Sequence, residues 1–269
     1  QGGVTVAVQA LLEAPVRPPF LRPAELESRR FGLHIGRADL GSIPGGTAAL
    51  IDEIRASDFD LVVLRYPAAE TTLFAQLLGT GYAVIHADTL LYAEKTLSGP
   101  DPVELARFDH RVASVADRST ISDLVGEVFD QYGSHYSANP VLDPDVVRAG
   151  YVEWAHSFIG SRDRAFLVLS DPGEDELRAF STVDTTSPGE IVLVGVTPGA
   201  RGHGWHGRAS AVAEAQLRHA GCHTAWSSTQ IHNIAVQRSW RTRGYVPRLS
   251  LQTVHLVRRD RWEPGRSPT

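Results

Sequence analysis

Arginine, histidine and glycine crowd into one short run, Arg201-Gly202-His203-Gly204-Trp205-His206-Gly207-Arg208. Glycine lets backbone approach a ligand closely, and arginine's planar fork binds two oxygens at once. The chemistry such a run offers is the binding of phosphate. Its surroundings suit that use. The apolar residues Ile191 to Val196 predict a buried strand that stops at Pro198. Ala209 to Ala220 has helical periodicity. A strand, a glycine turn and a helix point free N–H groups and a helix dipole at an anion. Arg201, Arg208, Arg238, Arg241 and Arg243 cluster in this part of the chain.

A second short strand is predicted from His223 to Ser228, followed by Asn233, Ala235, Trp240 and Gly244-Tyr245. This order resembles the acetyl-coenzyme A-binding core of the GNAT acyltransferase superfamily. The family pattern is V-x-P-x-x-R-G-x-G-x-G/A, a helix, a strand, then N-x-x-A-x-x-x-Y-x-x-x-G-F. It covers about a fifth of the chain closely. The resemblance implies acetyl-coenzyme A as co-substrate. Its partners here would be Val194, Gly195, Val196, Arg201, Gly202, His203, Gly204, Trp205, His206, Gly207, Arg208, Asn233, Arg238 and Trp240. Two places depart from the pattern. His206 stands where a small residue is usual, so its side chain either crowds the pyrophosphate or adds a hydrogen bond to it. Trp240 stands at the usual tyrosine, which in many relatives protonates the leaving thiolate. Indole N–H cannot give up its proton near neutral pH, so the usual acid is missing.

The segment Tyr132 to Asn139 carries Tyr132, His135, Tyr136 and Asn139. Such a mix offers flat apolar faces and hydroxyl-binding groups, which suit a sugar. An amine attacks a thioester only when neutral, so a base or a water relay must take its proton. Histidine has the right ordinary pKa. His135 is the first candidate for that base; for the acid, either Tyr136 substitutes or the thiolate leaves and is protonated by water. A backbone N–H near Val194 to Val196 would hold the oxyanion. Tyr132, Asn139, Tyr151 and Trp154 are the candidate acceptor-binding residues. The chain as a whole resembles the two-domain dTDP-fucosamine acetyltransferase type. That likeness is carried by Phe31-Gly32-Leu33-His34-Ile35-Gly36-Arg37 and Ser134-His135-Tyr136-Ser137-Ala138-Asn139-Pro140. It implies N-acetylation of a nucleotide-linked amino deoxysugar. An acyltransferase for an amino acid, antibiotic or carrier-bound acceptor stays open, as does a non-catalytic acyl-coenzyme A sensor.

The elements that must hold these residues fall into two halves. In the first, Ala48 to Ala56 reads as helix, Leu61 to Tyr66 as buried strand, Thr71 to Leu78 as helix and Tyr82 to Tyr92 as strand. In the second, Val112 to Ala116 reads as strand, Ile121 to Phe129 and Val146 to Ile159 as helices, and Ala165 to Ser170 and Leu177 to Thr185 as strands. The coenzyme strand and a last strand, Leu249 to Val257, complete it. The expected fold class is α/β with a mixed sheet: an N-terminal α/β domain over 1–97, a linker over 98–107 and a GNAT domain over 108–269. Leu77-Leu78-Gly79-Thr80-Gly81-Tyr82 echoes Trp240 to Tyr245, so the first domain reads as a degenerate copy. It has no glycine-rich phosphate loop, and no coenzyme is expected there.

Composition narrows the classes. With 42% hydrophobic and 21% charged residues the chain is ordinary for a globular protein. A net charge of −5 argues against broad nucleic-acid binding. No apolar run reaches membrane-spanning length and no secretion signal is evident. Cys222 is the single cysteine, so no intrachain disulfide forms, which fits a reducing cytoplasm. The Gln1-Gly2-Gly3 start and the lack of methionine read as a trimmed or tagged chain. No metal site is expected. The expected partner is a small-molecule amine, with homodimerisation left open.

Overall fold

The computed structural model describes residues 8, 11, 18–43, 45–130, 133–186 and 188–262. They form two compact units, both discontinuous in sequence. The first comprises Gln1–Leu91, Gly133–Val147 and Leu249–Thr269, and the second Tyr92–Tyr132 and Arg148–Arg248.

The first unit holds the strands β1 (Arg22–Pro23), β2 (Ile35–Asp39) and β3 (Leu61–Pro67), the first part of β4 (Tyr82–Thr96) and most of β10 (Val246–Arg258). Their order is β1-β2-β3-β10-β4. β2 and β3 run parallel, joined through helix α2 (Ala48–Ala56), and β10 runs antiparallel to β3 from Leu251↔Pro67 to Val257↔Leu61. Leu50, Ile51 and Ile54 of α2 are spaced to face one side and are buried. They join Leu64, Tyr66, Leu73, Val254 and Leu256 in one apolar core. Helix α1 (Glu25–Phe31) ends at Gly32, where φ is 64°. The short helix α3 (Leu73–Leu77) precedes β4. β2 is not predicted by pattern, because Arg37 and Asp39 are charged and Gly36 breaks the apolar run. Gly36 is there for space: a Cβ would lie 2.5 Å from the Phe59 ring.

The second unit holds the end of β4, then β5 (Asp109–Val112), β6 (Arg164–Ser170), β7 (Leu177–Asp184), β8 (Glu190–Val196) and β9 (Thr224–Gln230). Their order is β4-β9-β8-β7-β6-β5. β5 through β8 form an antiparallel meander, and β8 and β9 are parallel. Helices α4 (Arg118–Phe129) and α5 (Pro144–His156) supply Ile121, Val125, Phe129 and Ala155 to a core shared with Phe166, Phe180 and Leu193. Helices α6 (Trp205–His219) and α7 (Ile234–Arg243) follow β8 and β9 in turn.

The mixed α/β fold class is as expected, but the sequence cut at 97–108 differs from the observed division. The last strand pairs with β3, with Arg65 Nε donating to Thr253 Oγ1 across 188 residues of chain at 3.2 Å. No local pattern carries such a pairing. The predicted linker also contains a short helical turn, Val103–Arg107, and the strand expected at Val112 to Ala116 lies earlier, at Asp109–Val112.

Candidate active site

In the second unit β8 pairs with β7 along its length but with β9 only at Glu190↔Trp226 and Ile191↔Ser227. Beyond that point β8 continues to Val196 and β9 to Gln230 without further register partners. The cause is local. Thr182 opposes Leu193 while Val183 opposes Ile191, so β8 carries one extra residue there. A bulge bends its strand and adds twist. The displaced Leu193 N–H donates to the Thr182 hydroxyl at 3.0 Å instead of a carbonyl. The paired register of β8 and β9 therefore ends at the bulge, and the strands part beyond it.

Strand alternation decides which backbone groups line the space between them. Thr197 N–H donates to Arg178 O, at 3.0 Å, toward β7. Leu193 also donates toward β7, so Val194 and Val196 point their N–H and C=O groups to the open side. Gly195 faces β7. Its missing side chain makes room for Phe180, whose ring would lie 2.2 Å from a Cβ. Of the three strand residues expected to contact coenzyme, Val194 and Val196 present free groups and Gly195 packs.

Past Val196 the strand stops at Thr197-Pro198, and Gly202 and Gly204 both take φ of 81°. Gly204 is the cap residue of α6, and no side chain caps that helix. The N–H groups of its first turn therefore lack intrahelical partners and face outward with the positive end of the dipole. Arg201, Gly202, His203 and Gly204 are exposed here. His206 turns toward α7, with Nδ1 at 3.0 Å from Ser239 Oγ. Burial, helped by Arg243, lowers its pKa to about 4, so near neutral pH it holds two helices together without charge. Its departure from the family's small residue thus serves packing between α6 and α7. Gly207 has open space where a Cβ would go. Trp205 is buried and Arg208 stacks on it.

Asn233 caps α7, its Oδ1 accepting from Val236 N–H at 3.3 Å, which leaves the amide NH₂ as a donor. Exposed Ile231 and Ile234 flank it. Arg238 is exposed. Trp240 is buried and stacks on Tyr245 at 6.0 Å, within the protein. α6 and α7 are tied by Arg243, which donates to both oxygens of buried Glu214 at 2.9 and 2.8 Å. Lys95, the sole lysine, donates to the same carboxylate at 2.6 Å. Sequence reasoning missed Glu214, because a lone glutamate on an amphipathic helix gives no signal of burial.

Two clefts flank the glycine turn at Arg201 to Arg208. One, of about 450 Å³, is lined by Asp171, Arg178, Gly199, Ala200, His203, Trp205 and Arg208. The other, of about 650 Å³, is lined by Ser122, Asp123, Gly126, Glu127, Asp130, Arg148, Pro198 and Arg201. Tyr151 stacks on Phe129 at 4.6 Å and Trp154 lies 6.2 Å from Tyr151, so both expected acceptor residues pack against the α4–α5 core.

The segment with His135, Tyr136 and Asn139 belongs to the first unit, not the second. Tyr132 lies outside the described residues. All three side chains are buried. Tyr136 donates to Glu27 Oε1 at 2.7 Å, and Arg37 Nη1 donates to the same oxygen at 2.7 Å. Arg37 also donates to both Asp39 oxygens, at 2.7 and 3.0 Å. Asn139 Oδ1 accepts from Val141 N–H at 3.1 Å, which fixes Nδ2 as the atom facing His255 Nδ1 at 3.1 Å. His255 then carries its proton on Nε2 and donates to His135 Nδ1 at 2.9 Å. His135 is left with its proton on Nε2. Burial, with His255, Arg65 and Arg37 nearby, holds the His135 pKa well below the ordinary histidine value. So arranged, His135 is a donor whose lone pair is occupied, which differs from the base expected of it. Burial pushes the Tyr136 hydroxyl up, which weakens it as an acid.

Among the described residues no group of His, Cys, Asp and Glu could hold a metal, and no helix is long and apolar enough to cross a membrane. No protein-family model and no curated protein matches the sequence. Solved structures do resemble the fold. A GCN5-related N-acetyltransferase from Sphaerobacter thermophilus matches with a TM-score of 0.55 and 16% identity, over 72% of this chain and 59% of its own. A tandem GNAT protein from the clavulanic acid biosynthesis pathway matches at 0.52 and 15%, over 82% and 74%. A GCN5-related glucosamine N-acetyltransferase region of a fungal multi-domain β-N-acetylglucosaminidase matches at 0.56 and 13%, over 82% and 29%. The chain therefore has a GNAT-like fold, and it spans less than two thirds of the Sphaerobacter protein.

Proposed function

We propose that this protein is an acetyl-coenzyme A-dependent N-acetyltransferase acting on a small amine. The observation that carries this reading is the parting of β8 and β9 at a bulge, directly before a proline stop and a glycine-capped helix. An extended thioester arm fits between the parted strands. Its pyrophosphate meets the N–H groups at Gly202 to Gly207, with Arg201 adding charge. The thioester carbonyl oxygen accepts from Val194 or Val196 N–H, which is where negative charge develops as the amine nitrogen attacks. The C–S bond then breaks, thiolate leaves, and the ammonium proton passes to water or to a base in the acceptor site. In this reading Asn233 NH₂, left free by the cap, donates to an amide carbonyl of the arm.

The larger cleft supports an amine acceptor. Asp123, Glu127 and Asp130 line it beside Pro198, Arg148 and Arg201, and among the described residues Asp130 pairs with Arg148 at 3.1 Å while Asp123 and Glu127 have no cationic partner. Carboxylates raise the local concentration of a cationic substrate. The finer reading is an amino sugar, on a nucleotide-linked deoxysugar. The glucosamine N-acetyltransferase neighbour and the resemblance described above support it. A second reading, an acyl-coenzyme A-binding protein without transfer activity, is favoured by one feature: Trp240 has no proton to give at the usual acid place.

Calorimetry with acetyl-coenzyme A, followed by mass-spectrometric detection of acetylated product across a panel of amines, tests both readings. Binding with transfer to an amino sugar is the expected result. Binding without transfer to any amine selects the second reading. Absence of binding sinks both. Gly204→Val should weaken binding at least about tenfold, since a β-branched residue is strained at positive φ and obstructs the turn.

A further inference from the structure

The smaller cleft beside the phosphate turn has an unusual cation in it. The Arg208 guanidinium carbon lies 4.4 Å from the centroid of Trp205 and 5.9 Å from that of Phe108. Those two rings pack edge to face at 6.1 Å and are both buried, so the surface beneath Arg208 is rigid. Among the described residues no acceptor or carboxylate pairs with its guanidinium. The cleft's other arginine is already matched: Arg178 donates to Asp171 at 2.9 Å and pairs with Glu176 at 2.7 Å. Arg208 is thus held in one plane, desolvated on one face, and left with its donors unspent. That is a pre-organised receptor for a phosphate rather than a structural ion pair.

Position narrows the choice of phosphate. The pantetheine arm leaves the turn toward the opening between β8 and β9. Arg178 lies on β7, and Asp171 in the turn before it, so this cleft is on the opposite side of β8. Coenzyme A carries a further anionic group, the 3′-phosphate of its adenosine, on the far side of the pyrophosphate from the pantetheine arm. The larger cleft sets three carboxylates against Arg148 and Arg201, a net negative lining that suits a further phosphate less well. A volume of about 450 Å³ lies within the range of small-molecule sites.

We propose that the cleft holding Arg208 over Trp205 receives the 3′-phosphate of coenzyme A and lets the protein discriminate it from 3′-dephospho-coenzyme A. This rests on the coenzyme reading above. Calorimetry with both ligands on wild type and Arg208→Gln tests it. Wild type should bind coenzyme A about tenfold or more tighter than the dephospho form, the scale of a charge-assisted hydrogen bond. Arg208→Gln should lose that factor for coenzyme A and keep wild-type affinity for the dephospho form. The retained affinity also shows that the variant is folded. Equal losses for both ligands would place Arg208 on the pyrophosphate and overturn the assignment, as would equal wild-type affinities. Wild type binding neither ligand would instead sink the coenzyme reading itself.

Discussion

His135, His255 and Asn139 form a chain in which one backbone N–H settles every proton. Val141 orients the Asn139 amide, the amide orients His255, and His255 occupies the Nδ1 lone pair of His135. Nitrogen-15 shifts of both imidazoles should therefore report neutral rings protonated at Nε2. Asn139→Ala should scramble the His255 tautomer. A pH consequence follows. Burial, together with Arg37 and Arg65, lowers the His255 pKa to about 3 from the ordinary 6.5, and His135 is lowered too. An unfolded chain takes up these protons near pH 6.5 while the folded one does not. Stability is thus complete above that pH and falls as pH drops from about 6.5 toward 3, by up to about 1.4 kcal/mol per unit for His255, with His135 adding a slope of the same sign. Denaturant titrations at a series of pH values should show this slope in wild type. His255→Gln will lower stability at every pH, but its slope should be smaller by one proton. An unchanged slope would show that His255 titrates normally.

The bulge in β8 and the glycines around it divide into those required by packing and those required by the turn. Gly195 belongs to the first kind. A Cβ there would lie 2.2 Å from Phe180 and 2.8 Å from Val128 Cγ1. Gly195→Ala should cost about 1–3 kcal/mol by overpacking, measured as a lower midpoint in urea. Gly207 is the opposite case. It sits inside α6 with nothing within 4 Å of an added Cβ. Gly207→Ala should raise stability by about 0.5–1 kcal/mol through helix propensity. If the same variant also binds acetyl-coenzyme A more weakly, the open space over the first turn belongs to the ligand. Unchanged affinity would remove Gly207 from the site.

At the scale of the whole chain, the Arg201 to Arg208 turn, the parted strands and Asn233 all lie in the second unit. The first unit has its own core and its own buried polar cluster, and its turn between β2 and α2 holds Gly41, Gly45 and Gly46 but no arginine. One coenzyme should bind per chain. Hydrogen exchange should show new protection at residues 192–208 and 231–238, with the first unit's core amides unchanged. Two equivalent sites by calorimetry would contradict that assignment. At a hundredfold excess over Kd, coenzyme should stabilise the second unit by about 2.7 kcal/mol.

The run from Ile191 to Tyr245 was legible by itself. A continuous apolar strand, a proline stop, paired glycines and an asparagine before a helix are local signals, and each reports a backbone state that one residue type permits. Helix α2 was readable for the same reason: its apolar spacing is periodic over its whole length. The pairing of Thr253 with Arg65, the burial of Glu27 and Arg37, and the placing of His135 against His255 join segments far apart in the chain. Local periodicity is blind to these, because a charged residue looks exposed until its partner arrives from elsewhere. The same limit explains His135, which as an isolated residue type suited a base. Only the tertiary structure put two arginines and a second imidazole around it, and so decided which of its nitrogens holds the proton.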